Sequence, residues 1–258
     1  FQRLFTREKV ERRDLFKLAL CAVFGFALNQ TLFYIGLNMT SPVDASLIHV
    51  LNPVLVALAA HFLIRERITG YKVAGILMGA SGALILILYR KNLSLGSGQA
   101  VGNLFVFLNM VFYALYLVII KPMAMKYHSS TILKWVSLFG FIFILPYTLP
   151  AATEIRFSAI DLKGWLGLAY IIVLNTFLAY LLINYALQHL TTSAVSYYNY
   201  LQPFIAAVLT VSSGQDMLSW PKVVAALMIF GGVFIVNRGK QKELRIISSG
   251  SEKVAERQ

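Results

Sequence analysis

The chain has 258 residues, a mean hydropathy of +0.70, 58% hydrophobic residues and 13% charged ones. Soluble domains carry about 45–50% apolar and about 25% charged residues, so these proportions exclude an ordinary soluble domain. The net charge of +12 lies between apolar blocks rather than along one basic face, which points to membrane-flanking charge and away from nucleic acid.

Residues 1–17 come first, with Arg3, Arg7, Lys9, Arg12, Arg13 and Lys17 and no apolar run of the kind a signal peptide needs. Eight apolar stretches follow, near 18–38, 44–64, 71–89, 101–120, 132–150, 164–187, 194–213 and 220–237. Each approaches the roughly 20 helical residues that cross about 30 Å of hydrocarbon. They are predicted to be helices, because lipid offers no partner to an open strand edge, and they lack the alternation of a barrel strand. The expected fold class is therefore an all-α polytopic membrane protein. Cys21 is the only cysteine, so it forms neither an internal disulfide nor a zinc site and reads as a small apolar residue. Residues 239–258 are polar and charged and are predicted to form a disordered cytoplasmic tail.

The basic residues set an orientation. Eighteen fall in residues 1–17, in the connections after the second and fourth stretches, and in the tail; five fall in the other connections. The positive-inside bias puts both ends of the chain on the cytoplasmic side, as expected for a bacterial inner (plasma) membrane.

The sequence also repeats itself at a spacing of 150 residues. Leu51-Asn52-Pro53 recurs as Leu201-Gln202-Pro203, and Glu66 matches Asp216. Lys72-Val73 matches Lys222-Val223, Leu77-Met78 matches Leu227-Met228, Gly82 matches Gly232, and Ile85 matches Ile235. With one residue of slip, Tyr34 matches Tyr185. An odd number of spans separates the copies, so equivalent helices cross in opposite directions, as in the inverted repeats of many secondary transporters. The expected organisation is residues 1–90 as the last three helices of a first repeat and 91–238 as a five-helix second repeat. The partners of 101–150 would fall before Phe1, so the eight helices are expected to belong to a ten-helix, five-plus-five protein lacking its first two.

These features resemble the EamA-type permeases of the drug/metabolite transporter superfamily. The resemblance lies in the tract Ser46–Pro53 followed by Arg65-Glu66-Arg67-Ile68, in the glycine-containing helix Val73–Gly82, and in the recurrence of this order at 194–236. It implies ten helices, a central cavity between two halves, and alternating access for amino acids, other metabolites or exported compounds.

Polar side chains within a span are costly and tend to face a cavity or a partner helix. Ser46, His49, Asn52 and Pro53 share one helical face, and their repeat counterparts Ser196, Asn199, Gln202 and Pro203 share another. Asn109, Tyr113 and Tyr116 form a further stripe, as do Tyr180, Asn184 and Gln188, and Gln30, Tyr34 and Asn38. The candidate substrate-binding residues are His49, Asn52, Asn109, Tyr113, Tyr116, Asn175, Tyr180, Asn184, Tyr197, Asn199 and Gln202. Pro53 and Pro203 are candidate hinges, because each removes a mid-helix backbone hydrogen bond. Tyr34, Tyr198 and Tyr200 also fit an interfacial aromatic belt. Gly75, Gly79 and Gly82 fit close helix packing, and Glu66 and Asp216 fit helix caps or loop contacts.

No Asp, Glu, Lys or Arg falls in the middle of a stretch, which favours a neutral or zwitterionic solute. The expected function is secondary transport of such a solute, with the lipid bilayer and the solute as partners and no cofactor. A non-transporting helical scaffold or receptor is the alternative. A membrane enzyme is disfavoured because the spans hold no nucleophile–base pair, paired carboxylates or metal ligands. A nucleotide-binding loop of the form G-x-x-x-x-G-K-[ST] is absent, so the driving force is expected to be a gradient.

Overall fold

The structure, a computed structural model, describes residues 8–40, 42–88, 100–154, 160–212 and 219–255. They are helical apart from short connections such as 65–69, with no strand among the described residues. In chain order the elements are α1 (Arg12–Ala22), a π-helical segment (Val23–Leu28), α2 (Asn29–Met39), α3 (Pro42–His49), α4 (Asn52–Ile64), α5 (Gly70–Leu88) and α6 (Ala100–Lys126). Then come α7 (Ser129–Glu154), α8 (Leu162–Ala169), a second π-helical segment (Tyr170–Leu178), α9 (Ala179–His189), α10 (Thr192–Tyr197), a 3-10 turn (Tyr198–Tyr200), α11 (Leu201–Ser212) and α12 (Trp220–Ala255).

Four helical stretches are long and apolar enough to cross a membrane: Arg12–Met39, Ala100–Lys126, Ser129–Pro150 and Leu162–His189. Asn52–Ile64, Gly70–Ile85 and Trp220–Val236 are shorter apolar helices. The last helix departs from expectation. It continues through Ala255, over residues predicted to be an unstructured tail. The segment Gln241-Lys242-Glu243-Leu244-Arg245 consists of good helix formers, and it follows an established helix, so it bears no nucleation cost.

The chain divides into two compact units. The first comprises Phe1–Asn38 and Leu104–Thr192. Its interior is built on the buried face of α1, where Asp14, Leu18, Cys21 and Ala22 recur at helical spacing. Val106, Met110, Leu117 and Ile120 of α6 and Ile132, Leu133 and Val136 of α7 are also buried. At one end Asp14 accepts from Lys126 Nζ at 2.7 Å and from the Tyr127 hydroxyl at 2.8 Å, which ties α1 to the α6–α7 turn. Lys126 also pairs with Glu11 at 2.7 Å. Deeper in the unit, Asn29 and Asn109 bond reciprocally: each side-chain amide donates to the other's backbone carbonyl, at 3.0 and 2.8 Å. Such cross-helix bonds satisfy amides that lipid would leave unpaired.

The second unit comprises Met39–Asn103 and Ser193–Gln258. Its largest helix contact is α5 against α12. Gly75 lies against the Gly232 carbonyl and Gly82 against the Ala225 carbonyl; in both, an added Cβ would approach that oxygen to 2.7 Å. The small-residue stripe of α5 thus lets two backbones meet, as its spacing predicted. Val50, Ala57, Ile76, Ala83, Tyr197, Tyr200, Ala225, Ile229 and Val236 form the core of this unit. The α4–α5 turn is closed by Arg65 in the left-handed region (φ 55°), with Glu66 N–H donating to the Ala60 carbonyl at 3.0 Å. Lys72 Nζ then donates to Glu66 at 2.8 Å and to the Arg67 carbonyl at 2.6 Å. Glu66 is therefore a loop–helix contact, one of the roles expected for it, while Asp216 lies outside the described residues.

Candidate functional site

Two of the polar faces singled out in the sequence, at 46–53 and 196–203, sit where a helix is irregular. Proline at residue 53 has no N–H to give the carbonyl four residues back, and its ring crowds that carbonyl. The helix accordingly breaks: α3 ends at His49, Val50 and Leu51 form a turn, and α4 restarts with Asn52 and Pro53 as its first two residues. The same event recurs near Pro203. There α10 ends at Tyr197, Tyr198–Tyr200 form a 3-10 turn, and α11 restarts at Leu201. Each proline lies within the first turn of the restarted segment, where a missing N–H costs little.

In the second unit, the Tyr200 hydroxyl donates to the Val50 carbonyl at 3.1 Å, so one interruption is hydrogen-bonded to the other. The Tyr200 ring also lies where a Cβ on Gly79 would be. Tyr200 is 3% exposed, which corrects its assignment to an interfacial belt; Tyr198 and Tyr34 are 42% and 49% exposed and keep that option. Asn52 and Tyr197 are buried, yet Asn52 Oδ1 and the Tyr197 hydroxyl have no hydrogen-bond partner among the described residues. His49 and Asn199 are half-buried, Gln202 and Ser46 are exposed, and Ser196 turns back onto the Ser193 carbonyl at 2.7 Å.

In the first unit four candidates come together. Ring centroids of Tyr113 and Tyr116 are 6.2 Å apart, and those of Tyr116 and Tyr180 are 5.6 Å apart. The Tyr116 hydroxyl donates to Asn184 Oδ1 at 3.5 Å, while Asn184 Nδ2 is buried without a partner among the described residues. Tyr180 packs on Phe26 at 4.3 Å and donates its hydroxyl to the Gly25 carbonyl at 2.7 Å. Gly25 lies in the first π-helical segment, where the widened turn leaves a carbonyl available to a side chain. It has to be glycine, because a Cβ would enter the Tyr116 ring. Asn109 is not part of this cluster, since its amide is committed to Asn29. Asn175 is exposed within the second π-helical segment.

Sequence reasoning missed Asn29 and Gly25, and considered Tyr200 only for an interfacial belt. Asn29 sits one residue before the Gln30, Tyr34, Asn38 stripe and so lies about 100° away from it. Gly25 and Tyr200 act through a backbone carbonyl and a ring contact, neither of which leaves a spacing pattern.

Comparison with known proteins agrees with this architecture. A solved crystal structure superposes with a TM-score of 0.73 at 19% identity, covering 89% of this chain and 79% of the other, so the two share a fold. The uncharacterized transporter YyaM of Bacillus subtilis is 26% identical over 219 residues, covering 83% of this chain and 70% of the relative. YetK of the same organism, likewise an uncharacterized transporter, is 23% identical over 90% of this chain and 72% of its own length. A probable terminal-alkyne amino-acid exporter of Streptantibioticus cattleyicolor is 25% identical over 90% of this chain and 77% of its length. The model of the EamA-like transporter family matches residues 3–88 and 100–238, and the chain belongs to that family of integral membrane transporters.

Proposed function

We propose that the protein is a secondary transporter that moves a small neutral or zwitterionic metabolite, such as an amino acid, by alternating access. The observation that carries this proposal is the pairing of helix irregularities. The interruption at Val50–Leu51 has its counterpart at Tyr198–Tyr200, and the π-helical segment Val23–Leu28 has its counterpart at Tyr170–Leu178, both about 150 residues on. The α-helices α5, α6, α7 and α12 carry no such interruption. At membrane depth, irregular backbone is tolerated where it is buried in protein or lines a water-filled path; buried Val50, Tyr197 and Tyr200 meet the first condition at the two interruptions, whereas Tyr170–Leu178 buries no residue. Discontinuous helices are also where many transporters place their solute and ion sites. A scaffold has no comparable need for them.

Each unit has its own set of solute contacts in this proposal: Tyr113, Tyr116, Tyr180, Asn184 and Asn175 in the first, and His49, Asn52, Tyr197, Asn199 and Gln202 in the second, while Asn109 is left to its pairing with Asn29. Pro53 and Pro203 serve as hinges at the interruptions. The two family-model matches, at 3–88 and 100–238, fall on either side of residue 90, which supports a repeat near the expected boundaries, and its inversion is proposed from the odd number of spans between the copies. Eight spans with both ends cytoplasmic follow from the same repeat and from the basic residues. The exporter named above supports an amino-acid-like solute.

The test is thermal stabilisation of the purified protein by a panel of amino acids and small metabolites, followed by flux of any hit in proteoliposomes. A ligand at about 100 times its dissociation constant adds about 2.7 kcal/mol to stability. A saturable flux lost on Asn52→Ala or Asn199→Ala supports the proposal. Flux untouched by both changes moves the site elsewhere, and folded protein without any hit favours the scaffold.

A further inference from the structure

Among the described residues, the burial of the helical stretch Leu162–His189 is confined to its C-terminal end. Only 6% of its apolar window is buried, against 44% for Ala100–Lys126. No residue of α8 or of the second π-helical segment is buried; Tyr180, Asn184 and Leu187 of α9 are. Beyond them the anchoring is polar. Lys121, near the end of α6, donates its Nζ to the Leu187 carbonyl and, at 2.8 Å, to the Leu190 carbonyl. Gln188 Nε2 adds a bond to the Tyr127 carbonyl at 3.2 Å.

The carbonyls that Lys121 engages belong to a helix end. The last four carbonyls of an α-helix have no intrahelical donor, and the helix dipole makes that end negative. An ammonium placed there supplies charge and hydrogen bonds together. Lys121 precedes Pro122, which lies inside α6 and adds no N–H of its own. Buried Tyr180 and Asn184 sit one to three turns before the engaged carbonyls, so rotation or slippage of this end moves both.

Resting on the transport proposal above, we propose that Lys121 is a positioning residue: it pins the C-terminal end of α9 and so sets the depth and rotation of Tyr180 and Asn184 in the solute site. Three measurements on the purified chain test this. In Lys121→Met, hydrogen exchange of the backbone amides at 183–191 is expected to rise about tenfold, with exchange in α5 and α12 unchanged. The solute dissociation constant and the KM for flux rise by about tenfold, with the maximal rate retained. Lys121→Arg keeps the charge and restores all three. Unchanged exchange at 183–191 in Lys121→Met overturns the proposal, and so does an Arg variant as impaired as Met. A rise in exchange spread over both units, with the maximal rate lost, shows a general structural role instead and also overturns it. If the wild-type protein binds no solute, the transport proposal fails on its own, and the exchange measurement still decides whether Lys121 holds this helix end.

Discussion

Two glycine-to-alanine changes separate helix propensity from helix contact. Alanine is favoured over glycine in a helix interior by about 1 kcal/mol, through the smaller backbone entropy lost on folding. Gly167 lies in α8 with nothing within 4 Å of where a Cβ would be, so Gly167→Ala collects that gain unopposed. Gly232 lies in α12 against α5. A Cβ there would meet the Gly75 carbonyl at 2.7 Å, the Gly79 nitrogen at 2.9 Å and the Gly79 Cα at 3.2 Å. All three are backbone atoms, so relief requires the two helices to move apart. Overpacking of this kind costs about 1–3 kcal/mol. The propensity gain is common to both variants and cancels, so Gly232→Ala should be less stable than Gly167→Ala by about 1–3 kcal/mol. At about 2–4 °C per kcal/mol for a chain of this size, the Tm values differ by about 2–12 °C. The assay is thermal unfolding of both purified variants in one detergent. Equal shifts in Tm would refute the backbone contact between α5 and α12.

Three further outcomes follow from the polar groups. Asn109→Ala should lower stability by about 1–2 kcal/mol, because it removes one buried bond of the Asn29–Asn109 pair; the double change with Asn29→Ala should cost less than the sum, as read by a double-mutant cycle on Tm. Asn52→Ala should leave stability within about 1 kcal/mol of wild type, since removing a buried acceptor that has no partner among the described residues offsets the packing lost, yet weaken solute binding in the thermal-shift titration. Lys72→Met should cost about 1–3 kcal/mol by leaving Glu66, whose side chain is 12% exposed, without its cation, and adding Glu66→Leu should return part of that loss.

The sequence carried the helix class and the family, because both are written in features that survive without coordinates. Apolar length predicts helices in lipid, and proline, acid, lysine and glycine recurring at one spacing cannot arise from apolar composition. Prolines at 53 and 203 foretold interruptions because the missing N–H is a property of the residue itself. What spacing could not foretell is which side of an interaction a polar group serves. Asn109 and Tyr180 read as cavity groups from their stripes, but each donates to a backbone carbonyl on another helix. The π-helical segment that exposes the Gly25 carbonyl has no signature in Val23–Leu28 beyond its glycine. Residues 239–255 read as a tail because their charge excludes them from a span, yet charge does not prevent a helix from continuing.

The hydrogen-bond partners divide the predicted polar residues in a way that composition cannot. Asn109, with both its side-chain amide and its backbone carbonyl bonded to Asn29, is committed to holding α2 against α6. The Tyr180 hydroxyl holds α9 to the first π-helical segment, which leaves its ring, 5.6 Å from that of Tyr116, to the proposed site. Asn184, Asn52 and Tyr197 are as well buried, but each keeps an atom without a partner among the described residues. Leaving a buried donor or acceptor unpaired costs about 1–3 kcal/mol, whereas an apolar side chain of similar size costs nothing of that kind. A helix bundle built only for stability would place Leu or Phe at those positions. Polar side chains there are useful to a protein whose interior must at times hold a polar solute, because the solute supplies the missing partner. The sequence stripes thus contain two populations: one set of amides and phenols that builds each unit, and a second that the proposed solute would satisfy.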